Sequence, residues 1–497
     1  MHRRRYGSEN PQPPAPWAID RRRFLKAALG AGVVSCGAGL GIATAAAQEN
    51  QPATATGDPK MQYRHPYHQT LVYKAFLASK PDRVHMTLDE TLEAIRRLHA
   101  ATAGIPQIVY LVGWQFDGHD SKYPAWSEVN HRLKRPSDAD ARESLLWLMR
   151  EARQYNAVVS LHINMINAYE NSPLWTEYLE EDLLIRDADG ELVSGGVWGG
   201  EQSYTISIKR EWDSGFAKKR IDALLAFLPI ADAGTVHVDV FSPAASPYHG
   251  ETREDGIEGM RTVARYWREK GVDVTAEDFV YGLEGLTPMV WHYNVDERGR
   301  LMFPPDVLCG GGSMWSARLA DFKPDPSPQF NRPQGGCLYP EAWGESIDGD
   351  LASLGTVPVF ALMYYKKTVP WQFLNQFKPL RHEMTATDYR VFFEDGVETC
   401  VRHAGRAFTL RHGDRVHVDG GDLCVPLAWR KPELIAFSAG GARRRWSLCE
   451  GWAGVSKAEL TSLWPPDADD AARVVPVEDG TVDLDLAPEH AVLVTPA

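Results

Sequence analysis

The chain has 497 residues, which is long enough for two domains, and its composition is that of an ordinary globular protein. A formal net charge of −13, without a long Lys/Arg run after the N-terminus, argues against nucleic acid as a partner. None of the six cysteines is spaced as in a zinc site, so the sequence predicts neither a metal nor another cofactor.

The first 47 residues read as an export leader. The segment RRRFLK, from Arg21 to Lys26, resembles a twin-arginine signal, and an Ala/Gly/Val-rich stretch follows it to Ala47. We therefore expect residues 1–47 to be removed and the protein to reach the periplasm or the outside of the cell. The segment VVSC is close to a lipoprotein processing box, so association with a membrane is expected only if Cys36 is lipidated. Residues 48–67 are predicted to be a linker.

Between residues 68 and 380, strand-like apolar runs alternate with helix-like amphipathic segments, which is typical of an α/β fold. Helices are predicted after Thr87, over the segment DADARESLLWLMREARQYN, and from Phe216 to Phe227. The predicted strands include the runs TLVYKAFLA, IPQIVYLVGWQ, AVVSLHINMINAY, YTISI, PMVWHYNV and VPVFALMYY. Seven or eight such strands predict a (β/α)8 barrel of the TIM type, with an open doubly wound sheet as the alternative. No Gly-rich phosphate fingerprint follows any strand, which disfavours nucleotide binding.

Two carboxylates follow neighbouring predicted strands. TVHVDVFSP contains Asp239, GVDVTAEDF contains Glu277, and an amphipathic segment ending at Gly271 connects the two runs. In a β-α-β unit both strands end at the same edge of the sheet, where barrel enzymes hold their catalytic acids. Glycoside cleavage needs such a pair of carboxyl groups. The alternative is that both residues cap helices or pair with basic side chains.

Polar and aromatic residues recur in the predicted loops, as in a carbohydrate cleft. They are His119 and Asp120, His162 and Asn164, Trp198 and Gln202, and His292. Each has a structural alternative: a loop Asp often caps a helix, a strand His is often buried in the core, and a Trp often packs. A metal site formed by His119, Asp120 and His162 is not supported by their spacing.

These residues, taken in order, resemble the catalytic core of the bacterial endo-alpha-N-acetylgalactosaminidases, glycoside hydrolase family 101. The matching motifs are the Gly-His-Asp-Ser loop at Gly118–Ser121, the segment LHIN with His162, the loop with Trp198, Glu201 and Gln202, the segment VDV around Asp239, and the strand with Glu277. The order and rough spacing hold from about His68 to Phe279.

The resemblance implies a retaining α-glycosidase in which Asp239 is the nucleophile and Glu277 the acid/base. It also implies that Asp120 contacts the sugar, that Trp198 closes over it, and that the substrate is a mucin-type O-glycan. Phe241 stands where family members often have Trp, and family enzymes are far longer. We therefore expect this chain to share the family's mechanism more closely than its substrate.

Short alternating runs separated by turn signals fill residues 381–497, which predicts a small antiparallel β-sandwich after the barrel at 68–380. The whole sequence predicts an exported α-glycoside hydrolase acting on α-N-acetylgalactosaminides or related α-linked glycans. The alternatives are an exo-acting α-galactosidase or α-N-acetylgalactosaminidase, and a non-catalytic carbohydrate-binding relative. Its expected partner is a carbohydrate or glycoprotein substrate.

Overall fold

The computed structural model describes residues 63–293, 295–310, 339–343, 350–466 and 472–497. The predicted leader, with Cys36, and most of the predicted linker lie outside these residues. No helix within the described part of the chain has the length and apolar character needed to cross a membrane.

Eight parallel strands form the sheet that organises the first part of the chain. In chain order they are β1 (Leu71–Phe76), β2 (Gln107–Val112), β3 (Ala157–Asn164), β4 (Thr235–Asp239), β5 (Asp273–Asp278), β6 (Met289–His292), β7 (Cys309–Gly310) and β8 (Asp350–Leu351). Neighbouring strands follow the chain from β1 to β7, and β8 pairs with the other side of β1. The predicted α/β class is confirmed.

The two faces of this sheet bury different side chains, because successive strand residues point to opposite sides. One face packs on the helices through residues such as Leu71, Tyr73 and Leu111. The other face encloses a cluster in which half of the residues are aromatic: Tyr67, Val72, Ile108, Tyr110, Met289, Trp291, Cys309 and Trp371. This inner cluster lies below the polar residues at the carboxyl ends of the strands.

The helices that connect the strands begin where the sequence signals indicate. Thr87 and Glu90 form a capping box at the start of the first long helix, and Thr252 and Asp255 do the same before β5. Phe216–Phe227 is helical as predicted. The α-helices are Leu88–Ala101, Ala141–Glu151, Trp175–Glu180, Ile208–Asp213, Phe216–Phe227, Ile230–Ala233, Arg253–Glu269, Glu297–Met302, Pro340–Trp343, Val357–Met363 and Val369–Leu374.

Two predicted strands of the sheet are wrong. VPVFALMYY forms the helix Val357–Met363 and the start of a π-helix, Tyr364–Thr368. A short apolar run cannot distinguish a buried helix from a buried strand, but Pro358 suits a helix start and cannot donate to a strand ladder. YTISI contributes instead to the strand Glu201–Thr205, which pairs antiparallel with Asn167–Tyr169 and Ser194–Trp198. We call these three strands the insertion sheet.

From Pro379 onward the chain forms a twelve-stranded antiparallel sheet, which confirms antiparallel β structure in this part. It contacts the first part of the chain through the stacked rings of Tyr365 and Phe437, 5.3 Å apart. Its strands are Pro379–Met384, Asp388–Phe393, Val397–Arg402, Phe408–His412, Arg415–Asp419, Asp422–Pro426, Leu434–Ser438, Ala442–Ser447, Lys457–Trp464, Arg473–Glu478, Thr481–Leu486 and His490–Pro496.

Candidate active site

The two predicted catalytic carboxylates lie on neighbouring strands and on the same face of the sheet. β4 and β5 are in parallel register, with Val238 opposite Ala276. The next position in each strand is therefore Asp239 and Glu277. Two residues earlier on the same face, His237 Nδ1 lies 2.9 Å from Thr275 Oγ1. The His237 ring lies 5.3 Å from that of Tyr110 in the inner cluster, so this is the inner face. The fold thus brings the pair together at the carboxyl edge of the sheet.

Asp239 is buried against histidine. Its Oδ1 lies 3.4 Å from Nε2 of His162, whose side chain is almost fully buried on β3. Burial opposes ionisation of Asp239, but His162, Lys74 and His119 more than offset it and lower the pKa of this carboxyl. Burial lowers the pKa of His162 itself, and Asp239 only partly opposes that effect. Asp239 is therefore a carboxylate across the physiological pH range.

Glu277 has a separate partner. Its Oε1 lies 3.2 Å from Nε2 of His292, on β6. Burial and the charge of Asp239 raise the pKa of Glu277, whereas the hydrogen bond from His292 and the charge of Lys74 lower it, and the net shift is downward. The two carboxylates interact through their charges but do not share a hydrogen-bond partner among these contacts.

Asp278 follows Glu277 in the chain and is affected by the charges of the candidate site. Burial raises the pKa of its carboxyl, His292 opposes this, and the charges of Glu277 and Asp239 raise it further. Asp278 is the last residue of β5, where the strand alternation ends. Its charge therefore interacts with the candidate site, and a proton is retained more readily here than on an ordinary aspartate.

The Gly-His-Asp-Ser loop brings His119 and Asp120 to the same edge. Nδ1 of His119 lies 3.0 Å from Oδ2 of Asp120. Burial lowers the pKa of His119, but Asp120 raises it to about 8 overall. The loop needs its glycine because a Cβ at Gly118 (φ +115°) would lie 2.7 Å from the backbone carbon of Ala78. The backbone N–H of His119 then donates to the Ala78 carbonyl across 2.9 Å.

The remaining predicted sugar contacts are placed differently. Asn164 is buried, and its Oδ1 accepts the backbone N–H groups of Ile166 and Asn167, both at 2.8 Å. It therefore shapes the turn after β3. Trp198 and Gln202 lie on the insertion sheet, where Trp198 Nε1 donates to the Gly195 carbonyl across 2.9 Å.

An ion pair connects the insertion sheet to the candidate site. Lys80 Nζ lies 2.8 Å from Glu201 Oε2 on that sheet and 4.4 Å from the ring centroid of Tyr169. The charge of Lys80 also helps to lower the pKa of Asp120. Gln202 and Trp198 are thereby held on an element that is connected to the predicted sugar pocket.

The sequence interpretation missed two side chains at this site, Lys74 and Tyr169. Lys74 is a buried lysine on β1, and its charge affects the pKa of both Asp239 and Glu277. The available signal was a single lysine in the apolar run TLVYKAFLA. Tyr169 is buried beside Tyr123, and its hydroxyl has no hydrogen-bond partner within the described residues.

Three side chains have the donor types and proximity that a metal ion would require. Ligand atoms of His119, His162 and Asp239 all lie within 4.8 Å of one another. Two imidazoles and a carboxylate suit zinc. His119 also contacts Asp120, His162 contacts Asp239, and the two imidazole rings lie 5.5 Å apart.

The family model described as endo-alpha-N-acetylgalactosaminidase matches residues 75–297, which include every predicted site residue. The alpha-N-acetylgalactosaminidase NagBb from Bifidobacterium bifidum, in its GalNAc complex, has a similar fold. Its TM-score is 0.50 at 13% identity, over 69% of this chain and 57% of that chain.

Two further solved structures show weaker similarity. The alpha-galactosidase TtGalA from Thermus thermophilus gives a TM-score of 0.32 at 17% identity, over 48% of this chain and 47% of that chain. The maltogenic alpha-amylase AmyB from Thermotoga neapolitana gives a TM-score of 0.41 at 11% identity, over 87% of this chain and 100% of that chain. As the motifs indicate, residues 75–297 match the model of the endo-alpha-N-acetylgalactosaminidase family of glycoside hydrolases.

Proposed function

We propose that this protein is a retaining α-glycoside hydrolase that acts on α-N-acetylgalactosaminyl groups of mucin-type O-glycans or on related α-linked glycans. The observation that carries the proposal is the register of β4 and β5, which makes Asp239 and Glu277 neighbours on the inner face. A second support is that each carboxylate has its own histidine, His162 or His292. The two carboxyl groups are therefore held by different contacts, and the pKa of each is lowered by its histidine.

In the first chemical step, a carboxylate oxygen of Asp239 forms a bond to the anomeric carbon as the glycosidic C–O bond breaks. Glu277 donates its proton to the departing oxygen. In the second step, Glu277 takes a proton from water, whose oxygen bonds to the anomeric carbon and releases Asp239. His162 and Lys74 favour the ionised nucleophile. Since the pKa of free Glu277 is lowered, the proposal predicts greatest activity at acidic pH.

Sugar recognition is assigned to the polar groups around the carboxylates. Asp120, ion-paired with His119, accepts sugar hydroxyl hydrogen bonds in this proposal. Tyr169 is a buried neighbour of these groups, since its ring lies 4.4 Å from Nζ of Lys80, whose charge lowers the pKa of Asp120. Trp198 and Gln202, held on the insertion sheet, would contact the part of the substrate beyond the cleaved bond.

The same proposal includes a closed barrel over residues 68–380. The strand order, which places β8 beside β1 and β7 beside β6, supports closure of the sheet between β7 and β8. For residues 381–497 we propose a β-sandwich. The strand that carries Arg444 lies at one end of the strand order, and the strands that carry Asp419 and Asp422 lie in the middle. Arg444 nevertheless donates hydrogen bonds to Asp419 and Asp422 across 2.6 and 2.5 Å, which supports a sheet that folds over on itself.

Export is proposed from the leader alone, with residues 1–47 as the twin-arginine signal and 48–67 as the linker. Replacing Arg21, Arg22 and Arg23 with lysine should leave the protein in the cytoplasm, as measured by immunoblotting of cell fractions. Cys36→Ala should not change its release unless Cys36 carries lipid, in which case membrane-bound protein should become soluble. Normal export of the lysine variant would contradict the proposal.

Two alternatives have specific tests. An exo-acting α-galactosidase or α-N-acetylgalactosaminidase would release single sugars and leave the mucin-core disaccharide intact. A carbohydrate-binding relative would bind glycans without turnover, but it would need neither carboxylate, and the presence of both favours an enzyme. A panel of p-nitrophenyl α-glycosides and a mucin-core disaccharide donor distinguishes these functions.

The decisive measurement is proton NMR of the first-formed product. Release of the α-anomer indicates retention, and release of the β-anomer would contradict the two-step mechanism. Asp239→Asn and Glu277→Gln preserve side-chain size and are the matched variants. Near-normal turnover by either, with an unchanged melting temperature, would remove that residue from the mechanism.

A further inference from the structure

Lys74 is a buried cation at the floor of the candidate site. It belongs to β1 and is only 6% exposed. Its register neighbour on β2 is Tyr110, a member of the inner aromatic cluster. The ammonium Nζ lies 4.3 Å from the ring centroid of Trp291, on the opposite side of the inner cluster. The side chain therefore extends across the inner face of the sheet instead of toward the helices.

The groups around this ammonium come from nearly every strand of the site. Its charge lowers the pKa values of Asp239, Glu277, Asp278, His119, His162 and His237. Asp120 and His292 join these titratable groups through their contacts with His119 and Glu277. Lys74 thus lies at the centre of the charge cluster, below both carboxylates.

The protein supplies this ammonium with an aromatic face but not with a carboxylate contact. Within the described residues, Lys74 makes no ion pair or hydrogen bond, whereas Asp239 and Glu277 contact His162 and His292. A buried ammonium has three donor hydrogens and is costly to bury when acceptors are missing. An acceptor supplied by a bound ligand would meet this requirement.

We propose that Lys74 is a substrate-contacting residue whose Nζ donates a hydrogen bond to a hydroxyl of the sugar bound between Asp239 and Glu277. This inference rests on the proposed function and adds a specificity determinant to it. The ligand is a neutral α-linked sugar, because Asp120 and Asp239 already balance the charges of Lys74 and His119 when Glu277 carries the proton that it donates. An acidic sugar would therefore find no net positive charge to bind at this site.

The experiment combines one substitution with a series of substrates. Lys74→Met keeps the length of the side chain and removes the charge and the donors, and Lys74→Arg keeps the charge with altered donor geometry. The substrates are p-nitrophenyl α-N-acetylgalactosaminide or α-galactoside, whichever is turned over, and its monodeoxy derivatives. Lys219→Met is the matched control, because Lys219 is 68% exposed and pairs with Glu177 on the surface.

We expect Lys74→Met to lower kcat/KM about 10- to 100-fold, the effect of losing one charged hydrogen bond. One monodeoxy substrate should show a similar loss with the wild-type protein and little further loss with Lys74→Met. That coupling would not arise from a purely structural role. Lys219→Met should match the wild type, and calorimetric binding of the free sugar should weaken in Lys74→Met alone.

Three results would overturn the assignment: unchanged kcat/KM in Lys74→Met, equal losses for all deoxy substrates in both proteins, or faster turnover of an α-linked uronide. If Lys74→Met does not fold, the monodeoxy substrates are tested with Lys74→Arg instead. If residue 74 contacts the sugar, the altered donor geometry of arginine should change the loss in kcat/KM for one monodeoxy substrate only. Wild-type protein that neither turns over nor binds any sugar would overturn the proposed function as well. Turnover with no role for Lys74 would overturn only this inference.

Discussion

Nε2 of His292 lies 3.2 Å from Oε1 of Glu277, so the residue assigned to proton transfer is in direct contact with a histidine on the next strand. This contact lowers the pKa of Glu277 against the opposing effects of burial and Asp239. His292 was predicted from the sequence as a sugar contact, and the geometry makes it a partner of the acid. We therefore expect His292 to affect the reaction mainly through the protonation of Glu277.

His292→Phe should raise the pKa of Glu277, because the hydrogen bond to the ionised form is lost. Glu277 would then stay protonated to higher pH, and the basic limb of the kcat/KM profile should move upward from its acidic position. The pH dependence of hydrolysis measures this shift. His131→Phe, at an exposed position, should leave the profile unchanged. A basic limb that moves downward, or does not move, would contradict the contact's role.

The roles of the two carboxylates predict different products with azide. In Asp239→Ala, azide should attack the α-glycoside directly and give the β-glycosyl azide. In Glu277→Ala, substrates with a good leaving group still glycosylate Asp239, and azide should then give the α-glycosyl azide. NMR of the isolated azides assigns each residue. Glu277→Gln should lower kcat by about 10²- to 10⁴-fold on poor leaving groups. The reverse stereochemistry would exchange the two assignments.

The ion pair between His119 and Asp120 should depend on pH in a defined direction. Asp120 raises the pKa of His119 to about 8, so the stabilisation is fully present below the unfolded value of about 6.5 and is lost as pH rises through 8. Asp120→Asn should bring the pKa of His119 to or below its ordinary value, since burial alone lowers it. NMR titration of the imidazole checks this, and an unchanged pKa near 8 would contradict the pairing.

A buried ion pair outside the site should control stability. Nε of Arg220 donates to Oε1 of Glu211 across 2.7 Å, both side chains are buried, and Tyr178 donates to the same carboxylate. Arg220→Ala should lower the free energy of unfolding by about 3–5 kcal/mol, because it leaves a buried charge unpaired. Lys219→Ala, on an exposed pair, should change it by less than about 1 kcal/mol. Urea denaturation compares them, and equal losses would be inconsistent with this account.

Much of the sheet could be predicted because its strands are short, apolar and bounded by clear helix signals. Thr87 and Gly271 marked the start and end of helices, and the alternation of strands and helices fixed the α/β class. The β-α-β unit also predicted that Asp239 and Glu277 would meet. These are local or nearest-neighbour properties, which a sequence pattern expresses directly.

The parts that could not be predicted depend on distant contacts. The helix from Val357 to Met363 has the composition of a strand, and only its packing decides between the two. Asn164 was predicted to contact the sugar, but its side-chain oxygen accepts hydrogen bonds from the backbone of its own turn. Lys74 lies far along the chain from Trp291, and the sequence does not show that they meet.

The insertion sheet leaves and rejoins the main fold at one place, since Asn167 pairs with Thr205 and Ile206 N–H donates to the Ile166 carbonyl across 2.7 Å. The segment between these two points also contacts the rest of the chain, where Lys80 lies 2.8 Å from Glu201 and His249 lies 2.7 Å from Asp182. Its length and side chains can therefore be exchanged in protein engineering if these two contacts are kept. A set of chimaeras grafted at Ile166 and Ile206 that retains them should vary which aglycones the proposed enzyme accepts.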